Sequence, residues 1–342
     1  MRAVPRRPDR CLGTLQYFLG QFGECEWLVY GVRRQDLREI TVPSCIVSEQ
    51  PDPWVRLSSA DLSVEIDPLG AQLSSLRDQT ARDLLWGGDP SVWAGRAPLL
   101  FPIVGALVDG TYRLGSRRYR LPRHGFARGK RFDMIDSSAR HATFLLKADA
   151  ATLQVYPFQF ELQVHFALAD ATLTVTTRVF NAGVGDMPAS VGYHPAFRWP
   201  LPGGQKRSAH VIEFERDEPA GIRRLDSAGL VTAVRHRSPI VDRRLALDDA
   251  LFQEDVIIWD QFNSRSVVYG SATGPRLKVT FPDAEYLGLW SKPGAEFVCI
   301  EPWRGIADPQ GFTGDFTSKP GIALIAPGAP LETRFEVAIM AR

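Results

Sequence analysis

From residue 54 onward the chain alternates. In Leu62-Ser63-Val64-Glu65-Ile66 apolar and polar residues take turns, the two-residue period of a strand with one buried face, and Asp67-Pro68 and Gly70 then break it. The period is longest in Phe160–Leu168 and Ala171–Phe180. Ala169-Asp170 joins these runs and Asn181-Ala182-Gly183 closes them, so the pattern predicts an antiparallel hairpin. Leu153–Tyr156, Ser266–Tyr269, Leu277–Phe281, Phe297–Ile300 and Thr333–Ile339 read as further strands. Helical periods are scarce, and prolines and glycines fall between strands as turn punctuation. Many short strands with regular turns predict an all-β fold, a large antiparallel sandwich or barrel with few short helices. No βαβ alternation is present, which argues against a Rossmann or TIM fold.

The texture changes at Pro51-Asp52-Pro53. Before it there is mixed charge, no sustained period and three of the four cysteines, Cys11, Cys25 and Cys45. We read residues 1–53 as an appendage, either disordered or upstream of a start assigned too early, and residues 54–342 as one domain. The arginines at 2, 6, 7 and 10 suggest a secretory leader, but Gln16, Gln21 and Glu24 interrupt the apolar stretch that a leader needs next, so none is expected. Neither these cysteines nor Cys299 show metal-site spacing or a disulfide framework, which points to a reducing cytoplasm. The 40 basic and 39 acidic residues nearly cancel, giving no electrostatic case for nucleic acid or an anionic membrane. No apolar run approaches the ~20 residues of a membrane span.

Dinucleotide, P-loop, serine-hydrolase and zincin motifs are all missing. What remains is a set of polar residues framed by apolar, Pro- and Gly-marked segments. In Arg96–Gly105 two prolines bracket an apolar run, and Arg96 at its head either faces a ligand or is an ordinary surface arginine. In Arg123–Arg128, His124 precedes a glycine that permits close approach of a ligand or a backbone; a turn histidine is the equal alternative. In Val191–Phe197, His194 is held extended by Pro195 between aromatics, which suits a proton donor near neutral pH or a buried structural histidine. In Phe297–Gly305, Glu301 ends an apolar run before Pro302. Burial there would raise its pKa toward a useful base, with a structural ion pair as the alternative. His141, His165, His210 and His236 lack such framing and read as structural or solvated.

Taken in order, RAPLLFPIVG, RHGFAR, GYHPAF and IEPWRG resemble the aldose 1-epimerase family, with DLLWGGDPSVW (residues 83–93) and NSRSVVY (263–269) in support. The likeness spans residue 54 to the C-terminus. It is greatest to the mutarotase-like branch found with sugar-utilisation genes, and extends to hexose-6-phosphate epimerases. The resemblance implies the galactose mutarotase-like supersandwich and a reaction without metal or cofactor, acting on a small-molecule aldose or sugar phosphate as monomer or homodimer. It implies His194 as catalytic acid, Glu301 as catalytic base, His124 and Arg96 as substrate contacts, and an aspartate on sugar hydroxyls, for which Asp255 is the candidate. Arg96, Arg128 and Arg304 are candidates for an anion site, or equally for hydroxyl donors or salt-bridge partners. A non-catalytic carbohydrate-binding protein would not need both His194 and Glu301. A glycosidase would want a second well-framed carboxylate.

Overall fold

The computed structural model describes residues 54–340. The segment 1–53, with Cys11, Cys25 and Cys45, lies outside the described residues. The long hairpin forms as the pattern predicts, as Phe160–Ala169 and Thr172–Asn181 turning at Asp170, which takes the left-handed φ of 50°. Phe160, Leu162, Val164, Phe166 and Leu168 all point to one buried face. A one-residue slip would turn these five side chains to water at about 1.5–3 kcal/mol each, so the register is strongly specified.

The hairpin belongs to a nine-stranded antiparallel sheet. Its order is Arg244–Ala246, Val211–Phe214, Ser266–Gly270, Arg276–Thr280, Pro330–Ile339, Thr172–Asn181, Phe160–Ala169, His141–Lys147 and Asp133–Ser137. A second, six-stranded sheet runs Ile257–Trp259, Tyr286–Trp290, Phe297–Arg304, Val191–Tyr193 and Leu99–Leu100, with Ala196–Arg198 also paired to Phe297–Arg304. A three-stranded sheet from Val55 to Asp78 opens the domain. One apolar core joins residues of all three sheets. Tyr193 ties the two larger ones: its ring lies 4.5 Å from that of Phe335, and its hydroxyl donates to the carbonyl of Thr333 at 2.9 Å. A phenol bonded in this way buries a large ring without leaving its polar tip unpaired.

Two local expectations change. Leu153–Tyr156 is not a strand, because the α-helix Ala150–Val155 occupies it. Asp149 caps that helix, accepting from Thr152 N at 2.6 Å, while Thr152 Oγ1 accepts from Asp149 N at 2.8 Å. This reciprocal box satisfies two end donors and outweighs the β preference of a short apolar run. The strand expected over Phe297–Ile300 continues to Arg304, straight through Pro302. Pro302, which has no N–H to donate, falls where the ladder to the Val191–Tyr193 strand is interrupted.

Candidate active site

The Phe297–Arg304 strand carries the centre of the site, and pairing registers show how. On one side Gly192 stands opposite Trp303 and Ala196 opposite Cys299, so the same register sets His194 directly across from Glu301. On the other side Gly288 pairs with Glu301 and Trp290 with Cys299. Residues at alternate positions share a face. One face of three adjacent strands therefore presents Gly192, His194 and Ala196; Cys299, Glu301 and Trp303; and Gly288 and Trp290. The small residues are needed. A Cβ on Gly288 would lie 2.5 Å from the Trp303 ring, and one on Gly192 would lie 2.7 Å from it. The tryptophan thus lies flat across the sheet beside the carboxylate.

His194 Nε2 is 3.1 Å from Glu301 Oε2, with both side chains buried. Burial, reinforced by the charge of Asp255, pushes the Glu301 carboxyl well above its ordinary range; the Trp303 indole pulls weakly the other way. Burial also pushes the His194 imidazole down to about 3; contact with its own backbone opposes this, and the charge of Arg128 adds to it. Both shifts favour neutral forms, so the pair holds one proton between two heteroatoms. Glu301 Oε1, His194 Nδ1 and the Trp303 indole N–H have no hydrogen-bond partner among the described residues. Buried polar atoms are rarely left so, and all three belong to residues around one cleft.

That cleft has a volume of about 310 Å³. Trp93 stacks on the His194 ring at 5.1 Å, and Trp290 meets both rings edge-on. His124 closes another side, its ring 5.7 Å from that of His194. The chain reaches this point through two left-handed residues, His124 at φ 68° and Gly125 at φ 71°, and Gly125 packs directly on the Phe101 carbonyl. His124 Nδ1 accepts from Gly105 N at 3.1 Å, so Nε2 carries the hydrogen of the neutral ring. Burial, then the neighbouring His194, Arg128 and Arg123, hold its pKa well below the ordinary value. Asp255 and Val256, just ahead of the Ile257–Trp259 strand, line the cleft together with Ile258 of that strand.

The structure brings together His124, Arg128, His194, Asp255 and Glu301. It does not bring Arg96 or Arg304 with them. Arg96 donates to the Gly87 carbonyl at 2.8 Å and lies over the Trp54 ring. Arg304 falls on the opposite face of its strand from Glu301, because three positions along a strand reverse direction, and pairs with Glu285 at 3.1 Å. In their place the cleft uses Arg123, beside Arg128, and neither has an acidic partner among the described residues. Trp93, Trp290 and Trp303 are the walls that sequence reasoning did not assign. Trp93 and Trp303 sit inside segments already singled out; nothing in the pattern around Trp290 marks it. Ligand atoms of His194, Cys299 and Glu301 lie within 4.8 Å of one another, a spacing that would admit a metal ion. A metal would need thiolate and carboxylate, whereas burial drives both Cys299 and Glu301 toward their protonated forms. The donor set therefore suits proton transfer better than ligation.

Among the described residues no helix is long and apolar enough to cross a membrane. Residues 53–316 match the family model described as aldose 1-epimerase. The protein LacX of Lactococcus lactis is 32% identical over 297 residues, covering 84% of this chain and 99% of that protein. Among solved structures, a galactose mutarotase related enzyme from Lactobacillus acidophilus superposes with a TM-score of 0.79 at 29% identity, covering 84% of this chain and 97% of that one. A galactose mutarotase-like protein from Lactobacillus casei superposes with a TM-score of 0.76 at 27% identity, covering 84% and 100%.

Proposed function

This chain belongs to the aldose 1-epimerase family and has its galactose mutarotase-like fold, and from that premise we propose that it interconverts the α and β anomers of an aldose. The carrying observation is the His194–Glu301 pair, two neutral-leaning groups 3.1 Å apart on facing rungs at the floor of an aromatic cleft. Ring opening starts from the tautomer of the pair with the shared proton on His194 Nε2 and Glu301 ionised, and Glu301 takes the proton of the C1 hydroxyl as its oxygen becomes a carbonyl. The bond from C1 to the ring oxygen breaks, and His194 delivers a proton to that oxygen. Rotation about C1–C2 presents the other carbonyl face, and the reverse transfers close the ring. One proton enters and one leaves, so the single proton shared by the pair is the inventory the cycle requires. Each positioned proton transfer contributes roughly 10²–10⁴-fold. His124 offers an N–H and Asp255 an acceptor to ring hydroxyls, and Trp93 and Trp290 wall the cleft with aromatic faces.

A binding protein gains nothing from burying an acid and an imidazole against each other, since displacing two pKa values from their ordinary range costs stability. Arg123 and Arg128, without acidic partners, favour a second reading in which the aldose carries a phosphate at the far end of the ring. Freshly dissolved single-anomer aldoses and aldose 6-phosphates, followed by NMR, test both. Equilibration faster than the buffer control, lost in Glu301→Gln and His194→Asn at unchanged far-UV circular dichroism, is expected. Near-normal rates in either variant would refute the assignment.

A further inference from the structure

Asp255 stands at a strained point. Its φ is 62°, a left-handed conformation that residues other than glycine seldom take. Asp255 lines the cleft, and its carboxylate, whose charge reaches Glu301, makes no hydrogen bond or ion pair among the described residues. Something must hold this backbone so that the side chain stays in the cleft.

Arg224 is built to do so. Its segment is pinned to the Ile257–Trp259 strand by Arg223 N to Ile258 O at 2.7 Å and Ile258 N to Arg223 O at 3.1 Å. Its own carbonyl accepts from Thr232 N at 3.0 Å and from Thr232 Oγ1 at 3.1 Å. From this fixed base the side chain, only 13% exposed, turns away from solvent. Nη1 donates to the Asp255 carbonyl at 3.0 Å and Nη2 to the Leu251 carbonyl at 2.9 Å, with the Glu254 carbonyl at 3.5 Å from Nη1. The nearest carboxylate oxygen, on Glu254, is 3.9 Å away on a side chain 74% exposed, so the guanidinium serves the carbonyls of one turn more than an ion pair. A planar fork can span two carbonyls at once; an ammonium cannot.

We propose that Arg224 is a positioning residue for sugar binding, which clamps the 251–255 turn and so aims the Asp255 carboxylate at a ring hydroxyl. The proposal rests on the anomerase reading for its substrate, but not for the clamp. Losing a charge-assisted hydrogen bond to substrate corresponds to roughly a tenfold or greater rise in KM. Arg224→Ala is expected to raise KM for the best aldose by that factor, with kcat changed far less. Arg224→Lys should fall between Ala and the parent. Asp255→Ala should match Arg224→Ala, and the double variant should be no worse than Asp255→Ala alone. Amide hydrogen exchange supplies the readout that needs no turnover: residues 252–255 should exchange faster in Arg224→Ala, with the central strands unchanged. If the parent turns over no aldose or aldose phosphate, the anomerase reading falls, while the exchange result still judges the clamp. Unchanged exchange at 252–255, or additive losses in the double variant, would overturn the proposal. General loss of protection across the sheet in Arg224→Ala shifts the decision to Arg224→Lys, whose parent-like KM would also overturn it.

Discussion

Glu301→Gln is the perturbation whose consequence is best defined by the structure, because the amide imitates the protonated carboxyl in shape and donates to His194 in its place. In the folded parent the Glu301 pKa lies well above 4.5 and that of His194 well below 6.5, at about 3. A raised acid stabilises the fold below its unfolded value and loses that contribution as pH rises. A depressed imidazole stabilises it above its unfolded value and loses that contribution as pH falls. Between pH 4.5 and 6.5 the two slopes cancel, since folded and unfolded pair each hold one proton. Above that window only the Glu301 slope survives, at about 1.36 kcal/mol per pH unit. The variant lacks it. Above pH 6.5 His194 is neutral in both proteins, folded or unfolded, so there the stability difference isolates Glu301. From pH 6.5 to pH 8 it should move in favour of the variant along that slope for as long as the folded carboxyl stays protonated. For a domain of this size that is a relative rise in melting temperature of about 3 °C per pH unit. Thermal melts of both proteins in matched buffers across this range provide the assay. A difference that stays constant from pH 6.5 to pH 8 would show the carboxyl ionised in the fold, and the shared-proton account of the pair would be lost with it.

Three further outcomes are expected. Gly105→Ala places a Cβ 2.5 Å from the Ala307 Cβ at a φ of 75°, and Gly105 N is the donor that orients His124; stability should fall by about 1–3 kcal/mol and kcat/KM should fall with it, read by urea unfolding and NMR exchange rates. Lys319→Met leaves Asp308 buried without its partner at 3.2 Å and should cost about 3–5 kcal/mol, whereas a loss under about 1 kcal/mol in urea unfolding would show that Asp308 finds other support. Trp93→Ala uncovers the His194 ring; water entering there should raise the imidazole pKa, visible as an upfield move of its Cε1 proton at a higher titration midpoint, and a midpoint as low as the parent's would mean that burial comes from elsewhere.

The alternation of Phe160–Leu168 and Ala171–Phe180 was legible as a hairpin because its buried face repeats every two residues without a break. Leu153–Tyr156 misled because four apolar-leaning residues carry no period of their own, and the deciding information sat upstream in Asp149. For the site, His194 and Glu301 stood out through the prolines next to them in the chain, and their convergence needed only the strand pairing that register supplies. For Arg304 the salt-bridge alternative holds: three positions beyond Glu301, parity along the strand sends it to the other face and onto Glu285. Arg96 and Arg123 each head one of the segments singled out above, and nothing local distinguishes the arginine that enters the cleft from the one that leans on Trp54. Trp290 faces His194 only because a neighbouring strand brings it there, a relation between distant residues that local pattern does not encode.

His194 and Glu301, the proposed acid and base, are rungs of one ladder, whereas the surfaces that would touch the rest of the sugar come from turns and loops at 93, 123–128 and 255. The two parts can therefore vary on separate terms. Loop changes can trade one sugar for another without retuning the spacing on which ring opening depends. A change in the ladder, even a methyl group at Gly192 or Gly288, would disturb the proposed proton transfers for every sugar at once. An engineer seeking new selectivity should randomise the rim and leave the three central strands untouched.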